Sequence, residues 1–214
     1  MLANRVNMRP QMRIPAAVLL LIAALPASAG ELLGKERVEL TPFYGYRIGG
    51  HFNGVTEAIE YPFDGAASYG GLADFNLNRD NYKFEMLWSR QKTGLDRVFH
   101  GQPSRNALQI DHFQAGIMQE VGNERARVAV SALAGGTRFE SPGLGSETRF
   151  SGSIGGVAKL FATPHLGLRL DARAYGVFVK GVAGAFCVNG TCAFAYSGNV
   201  LWQGDFTAGL ILAF

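Results

Sequence analysis

Four histidines and two cysteines hold most of the reactive potential of this 214-residue chain. The histidines are His51, His100, His112 and His165. His112 follows Asp111, but neighbours along a strand point to opposite faces, so the two do not form a base and its orienting acid. No serine stands near a histidine in a pattern that makes an activated nucleophile. The segment RVFHGQPSRNALQIDH holds two histidines without the spacing of a metal cluster. GGLADFN and GGVAKL are glycine-rich but lack the Gly-Lys-Ser/Thr of a phosphate loop and the glycine spacing of a dinucleotide fold. No catalytic, cofactor-binding or metal-binding residue is assigned, and the chain is read as non-enzymatic.

The cysteines, Cys187 and Cys192, lie in FCVNGTCAF. Asn189-Gly190 is the signal of a two-residue type I′ hairpin. Such a turn pairs Val188 with Thr191 and then Cys187 with Cys192. The latter is a non-hydrogen-bonded pair with Cα atoms roughly 4.5 Å apart, within disulfide range. In an oxidising compartment the pair is expected to be a disulfide.

The charged residues are placed by a period of two. In LGLRLDARAYGVF, Leu166, Leu168, Leu170, Ala172 and Ala174 share one face, while Arg169, Asp171, Arg173 and Tyr175 share the other. NYKFEMLWSR sets Tyr82, Phe84, Met86 and Trp88 against Lys83, Glu85, Leu87 and Ser89. RFSGSIGGVAKL sets Phe150, Ile154, Ala158 and Leu160 against Arg149, Ser151, Ser153 and Lys159. VELTPFYGYRIG sets Val38, Leu40, Tyr44, Tyr46 and Ile48 against Glu39, Thr41 and Arg47. ASYGGLADFN, DHFQAGIMQ, ARVAVSALAGGT and the terminal WQGDFTAGLILAF complete eight strands. Each has about the 9–11 residues that a tilted strand needs to cross a bilayer. The connections alternate: long at 50–66, 92–107, 140–148 and 179–197, and short at LNRDN, GNER and ATPH. Tyr69, Trp88, Phe150, Phe178 and Trp202 lie beside the long loops, and Phe75, Tyr82, Phe84 and Phe214 beside the short turns. Two aromatic girdles on the apolar face, with unequal loops, describe a barrel in a membrane.

Residues 1–29 support the same reading. Arg5, Arg9 and Arg13 precede an apolar run at 14–25, and ASA at 27–29 is a small-residue cleavage pattern. The run is shorter than the ~20 residues that cross a bilayer as a helix. It is read as a cleavable signal peptide, leaving 30–214 as one domain. The net charge of +3 resides in those three arginines. The remainder is balanced and has no basic run with interleaved aromatics, which excludes nucleic acid as a partner.

The terminal stretch places Phe214, Leu212, Leu210, Ala208 and Phe206 at alternate positions. With the opening strand VELTPFYGYRIGG, it resembles the small bacterial outer-membrane β-barrels of the porin-like, OmpA/OmpX type. The resemblance spans essentially all of 30–214. It implies an all-β, eight-stranded antiparallel transmembrane β-barrel in the outer membrane of a Gram-negative cell, surrounded by outer-membrane lipid. It further implies that Phe206, Leu210, Leu212 and Phe214 form a signal read by the barrel-assembly machinery. It does not imply one activity, because members serve as adhesins, anchors, narrow pores or enzymes. A soluble lipocalin-like barrel would use the same alternation with its apolar face inward, leaving Arg169, Asp171 and Arg173 in water.

In an eight-stranded barrel the lumen is just wide enough for side chains to fill it. Arg47, Glu85, Arg149, Arg169, Asp171, Arg173 and Asp205 are expected to form a polar network there, with Glu39, Asp74, Lys83, His112, Gln114, Arg127 and Lys159. The predicted role is envelope structure or surface interaction through the external loops, with an unidentified surface partner and no cofactor. The alternative is a narrow pore for small solutes or ions; a lipid-modifying enzyme ranks behind it. Two local features are also expected. Pro42, inside the first strand, calls for a bulge or a rim position. The cysteine hairpin pairs residues whose numbers sum to an odd value, whereas the last two wall strands require an even one. A break within 176–186 or 193–201 must therefore absorb one residue.

Overall fold

The computed structural model describes residues 38–49, 51–53, 60–62, 64–77, 81–99, 102–141, 145–178, 182–188, 191–197 and 200–214. The signal-peptide segment and His100 lie outside the described residues. The strands in chain order are β1 (Val38–Ile48), β2 (His51–Asn53), β3 (Glu60–Pro62), β4 (Ala66–Asn76), β5 (Tyr82–Phe99) and β6 (Gln102–Gly122). They continue with β7 (Ala126–Ser141), β8 (Gly145–Thr163), β9 (Leu166–Phe178), β10 (Val182–Val188), β11 (Thr191–Ser197) and β12 (Val200–Ala213). Eight of them close a barrel in the order β1-β12-β9-β8-β7-β6-β5-β4, every neighbouring pair antiparallel. The two remaining pairs, β2–β3 and β10–β11, are separate hairpins in the first and fourth long connections.

Closure satisfies the backbone. Phe214 N donates to Val38 O at 2.9 Å, and Val38 N donates to Phe214 O at 3.3 Å. A closed ladder leaves no edge in hydrocarbon, where each unpaired backbone group costs several kcal/mol. No helix among the described residues is long and apolar enough to cross a membrane, which says nothing against crossing by strands.

The period-two faces separate cleanly. In β9, Leu166, Leu168, Leu170, Ala172 and Ala174 are exposed, while Arg169, Asp171, Arg173 and Tyr175 are buried. The outer surface carries large apolar side chains, with Trp202 at 64% and Phe214 at 68% exposure. The aromatic residues form two belts. Tyr69 meets Trp88 edge-on at 6.4 Å and Phe150 lies 5.7 Å from Phe178 at the long-loop end, while Phe75 lies 6.4 Å from Phe84 at the other.

At the inner wall the strands coil so tightly that some positions admit no side chain. A Cβ on Gly70 would lie 2.0 Å from the carbonyl oxygen of Trp88, and one on Gly135 would lie 2.0 Å from that of Phe113.

Three features depart from, or refine, the sequence reading. First, 92–107 and 140–148 are largely strand: β5 and β6 stay paired to Phe99 and Gln102, and β7 and β8 to Ser141 and Gly145. Second, Pro42 needs neither bulge nor rim. It faces outward in mid-strand opposite Gly71, and the ladder to β12 skips Thr41 and Pro42 without a change of register. A proline lacking its N–H is tolerated there by that local gap. Third, the odd residue is absorbed as the parity argument requires. Cys187 pairs with Cys192 in one ladder and Phe178 with Val200 in the other. Paired residue numbers sum to an odd value in the first ladder and to an even value in the second. A further irregularity sits in β8 between Phe161 and Thr163, beside the short ATPH turn.

Candidate functional site in the barrel lumen

Polar side chains cross the lumen instead of lining it. Lys159 on β8 reaches Asp74 on β4, its diametric opposite in the barrel, with Nζ to Oδ2 at 2.8 Å. Arg169 on β9 reaches Glu85 on β5 at 2.6 Å, and Arg173 reaches the same carboxylate at 2.8 Å. Arg127 on β7 reaches Glu39 on β1 at 3.3 Å. These four ion pairs each span a diameter.

Shorter links join them. Asp171 bridges Arg169 and Arg173 at 3.0 Å each, and Arg169 also holds Asp74 at 2.8 Å. Lys159 holds Glu39 at 2.6 Å, while Lys83 is paired with Glu39 and, at 3.0 Å, with Glu120. The cations Lys83, Arg127, Lys159, Arg169 and Arg173 face the carboxylates Glu39, Asp74, Glu85, Glu120 and Asp171, and all ten are buried. The charges balance, five against five, so the network needs no counter-ion from solvent. Burying charge is unfavourable unless each is paired and hydrogen-bonded, and diametric pairing meets that demand in a narrow tube.

An apolar layer of Phe43, Leu72, Leu87, Leu133 and Tyr175 also packs in the lumen. Toward the long-loop end, Arg47 binds Asp205 through Nε at 3.0 Å and Nη2 at 2.5 Å, and donates to Ser89. Ser68 Oγ donates to the same carboxylate at 2.7 Å. The Arg47 guanidinium lies 4.7 Å from the Tyr175 ring centre, and that ring also stacks on His112 at 4.3 Å. Gln114 bridges toward β8, donating to Ser151 at 2.9 Å and accepting from Ser153 at 2.6 Å.

Arg47, Glu85, Arg169, Asp171, Arg173 and Asp205 thus all lie within the lumen. Arg149 stands apart. It has the inward parity, but it lies at the long-loop end, paired with Glu147 and about one-third exposed, away from the carboxylates that would join it to the network. Glu120 was missing from the sequence-based set, although it shares the even parity of His112 and Gln114 on β6. The lumenal apolar layer was also missed, though Leu87 and Tyr175 had the inward parity.

His112 Nδ1 lies 2.7 Å from Thr137 Oγ1, fully buried, and Asp111 faces the other way toward Arg90. His165 Nδ1 lies 3.0 Å from the Ala213 carbonyl in a short turn. His51 begins β2, and its side chain is outside the described set. No group of three or more metal-ligating side chains occurs among the described residues. Phe206, Leu210, Leu212 and Phe214 all face outward and are exposed. Cys187 and Cys192 are backbone partners; their side chains lie outside the described set.

No protein-family profile matches the chain, and no curated protein matches it in sequence. Solved structures match its fold. Neisserial surface protein A aligns with a TM-score of 0.57 at 12% identity, covering 83% of this chain and 97% of that one. The outer-membrane protein OprG from Pseudomonas aeruginosa aligns with a TM-score of 0.52 at 5% identity, covering 85% of this chain and 98% of that one. The fold is that of the small outer-membrane β-barrels.

Proposed function

We propose that the chain is an integral outer-membrane barrel with a closed lumen and no catalytic activity, which serves envelope structure or surface interaction through its external hairpins. The observation that carries this reading is the set of charge-balanced ion pairs across the lumen. A wall braced in this way offers ions no continuous aqueous path, so the part free to meet partners is the long-loop end, where the hairpins rise from a rigid base. Phe206, Leu210, Leu212 and Phe214 act during biogenesis as the segment engaged by the assembly machinery, and Cys187 and Cys192 form a disulfide that locks the fourth hairpin.

Deletion variants test the assignment. Cells displaying the intact chain, or chains with 92–107 or 182–197 replaced by a short turn, are screened for adhesion to surfaces and envelope components. All forms are expected to stay in membranes through an alkaline wash, and binding is expected to fall in at least one loop variant. Release of the intact protein by alkali would contradict the membrane reading. Undiminished binding by every deletion would contradict the role given to the hairpins.

A further inference from the structure

One titratable side chain in the lumen takes no part in its ion pairs. His112 on β6 is fully buried, with Nδ1 2.7 Å from Thr137 Oγ1 and its ring stacked on Tyr175 at 4.3 Å. Its register partner Ser89 follows Trp88, so the layer it belongs to lies at the outer aromatic girdle. Contacts tie that layer together. Arg47 lies against the Tyr175 ring, and Gln203 is the register partner of Tyr175. Gln203 Nε2 donates to Gln91 Oε1 at 3.5 Å, and Gln91 Nε2 donates to the Arg47 carbonyl at 3.3 Å. Beneath is the apolar layer of Phe43, Leu72, Leu87 and Leu133. Above, the next inward positions on β6, β9 and β12 are Ile110, Val177 and Leu201, all buried.

Among the described residues, this layer holds a single carboxylate. Strand by strand, its inward groups are Arg47 on β1, Ser68 on β4, Ser89 and Gln91 on β5, Gln114 on β6 and Thr137 on β7. Ser151 on β8, Tyr175 on β9, and Gln203 and Asp205 on β12 complete it. Arg173, one inward position below Tyr175, is committed to Glu85 and Asp171. Asp205 is already held by Arg47 through Nε and Nη2 and by Ser68. His112 Nε2 and Gln203 Oε1 make no hydrogen bond. The layer therefore has an acceptor to spare but no negative charge to spare. A neutral imidazole is accommodated there. An imidazolium would be a second cation against one carboxylate, between two apolar layers where screening is weak and like charges repel strongly.

We propose that His112 makes the outer mouth of the barrel acid-responsive: its protonation sets a second cation against Asp205 and loosens the Arg47–Asp205 clamp. Arg47 is the residue before the end of β1, from which the first hairpin rises, and Asp205 stands on β12, into which the fourth descends. Acid thus shifts the barrel from a clamped state toward one in which those two roots part. The device does not depend on what the hairpins bind. The test uses the folded full-length chain in neutral detergent micelles, with urea unfolding compared at pH 8 and pH 5 for the intact chain and for His112→Gln. A free histidine takes its proton near pH 6.5, and the clamped layer offers that proton no counter-charge. The stability present at pH 8 is therefore lost progressively as the pH falls below that value. Between pH 8 and pH 5 the unfolding constant of the intact chain is expected to rise about 30-fold more than that of the variant. Hydrogen exchange of the intact chain, corrected for the intrinsic effect of pH, gives the local readout. Peptides carrying Arg47 and Asp205 should lose protection at pH 5, while those carrying Lys159 keep theirs. Equal pH dependence of the intact chain and the variant would overturn the proposal. So would unchanged protection around Arg47 and Asp205 at pH 5, which decides the matter by itself if the variant does not fold.

Discussion

Glu85 illustrates how a single side chain can be structurally indispensable without doing chemistry. It accepts from Arg169 and Arg173 across the full width of the lumen and is itself fully buried. Removing its charge leaves Arg169 with Asp74 and Asp171, Arg173 with Asp171 alone, and a surplus positive charge in a low-dielectric tube. Breaking a buried pair by removing one partner costs roughly 3–5 kcal/mol. Glu85→Gln is therefore expected to lower the urea midpoint of the folded barrel substantially. Lys92→Gln, on the outer rim, should leave the unfolding free energy within about 0.5 kcal/mol of the original. Equal effects of the two variants would show that the lumenal pairs do not brace the wall. The cysteines give a second prediction at this scale. Thiol labelling of the denatured protein without reductant is expected to find no free thiol and, with reductant, two. Labelling without reductant would remove the disulfide, while leaving the backbone pairing of Cys187 with Cys192 untouched.

At the scale of the element, strand parity did most of the work, and it did so where burial differs between the two faces. In β9 and β12 every second residue meets hydrocarbon, so a one-residue slip would place Arg173 or Asp205 in lipid. The register was therefore legible, and so was the conflict with the odd parity of the cysteine hairpin. The upper parts of β5 and β6 were not legible as strands, because the alternation of apolar and polar residues lapses there, as in KTGLDRVF and QPSRNALQ. Glu120 escaped because the sequence reading ended that strand at Gln119, whereas β6 runs on to Gly122. The close approach at Gly135 makes a further prediction. Gly135→Ala places a methyl group against the Phe113 carbonyl and is expected to destabilise the barrel by more than about 2 kcal/mol. Gly156→Ala, with nothing within 4 Å of the added atom, should be nearly neutral. Comparable losses at both sites would contradict the coiled geometry of the inner wall. At β12, Phe214→Ala should reduce the yield of folded protein in cells well beyond its effect on refolding in detergent. If both fall in proportion, the terminal residue acts through stability and not as an assembly signal.

For the whole molecule, one arrangement unites the readings: an apolar outer belt between two aromatic girdles, a lumen closed by opposing charges, and hairpins carried at one end. Composition and alternation could indicate the barrel and the polar lumen. They could not distinguish a lined channel from a crossed one, because that depends on which side chains meet across a diameter. Lys159 meeting Asp74 and Arg169 meeting Glu85 are facts of three-dimensional closure. The account turns on that crossing, and single-channel recording in planar bilayers tests it most directly. The intact barrel is predicted to give no unitary steps. A variant carrying Glu85→Ala, Arg169→Ala and Arg173→Ala should admit current if it remains folded. Reproducible steps of one size from the intact protein, unchanged in that variant, would contradict a lumen closed by its own ion pairs.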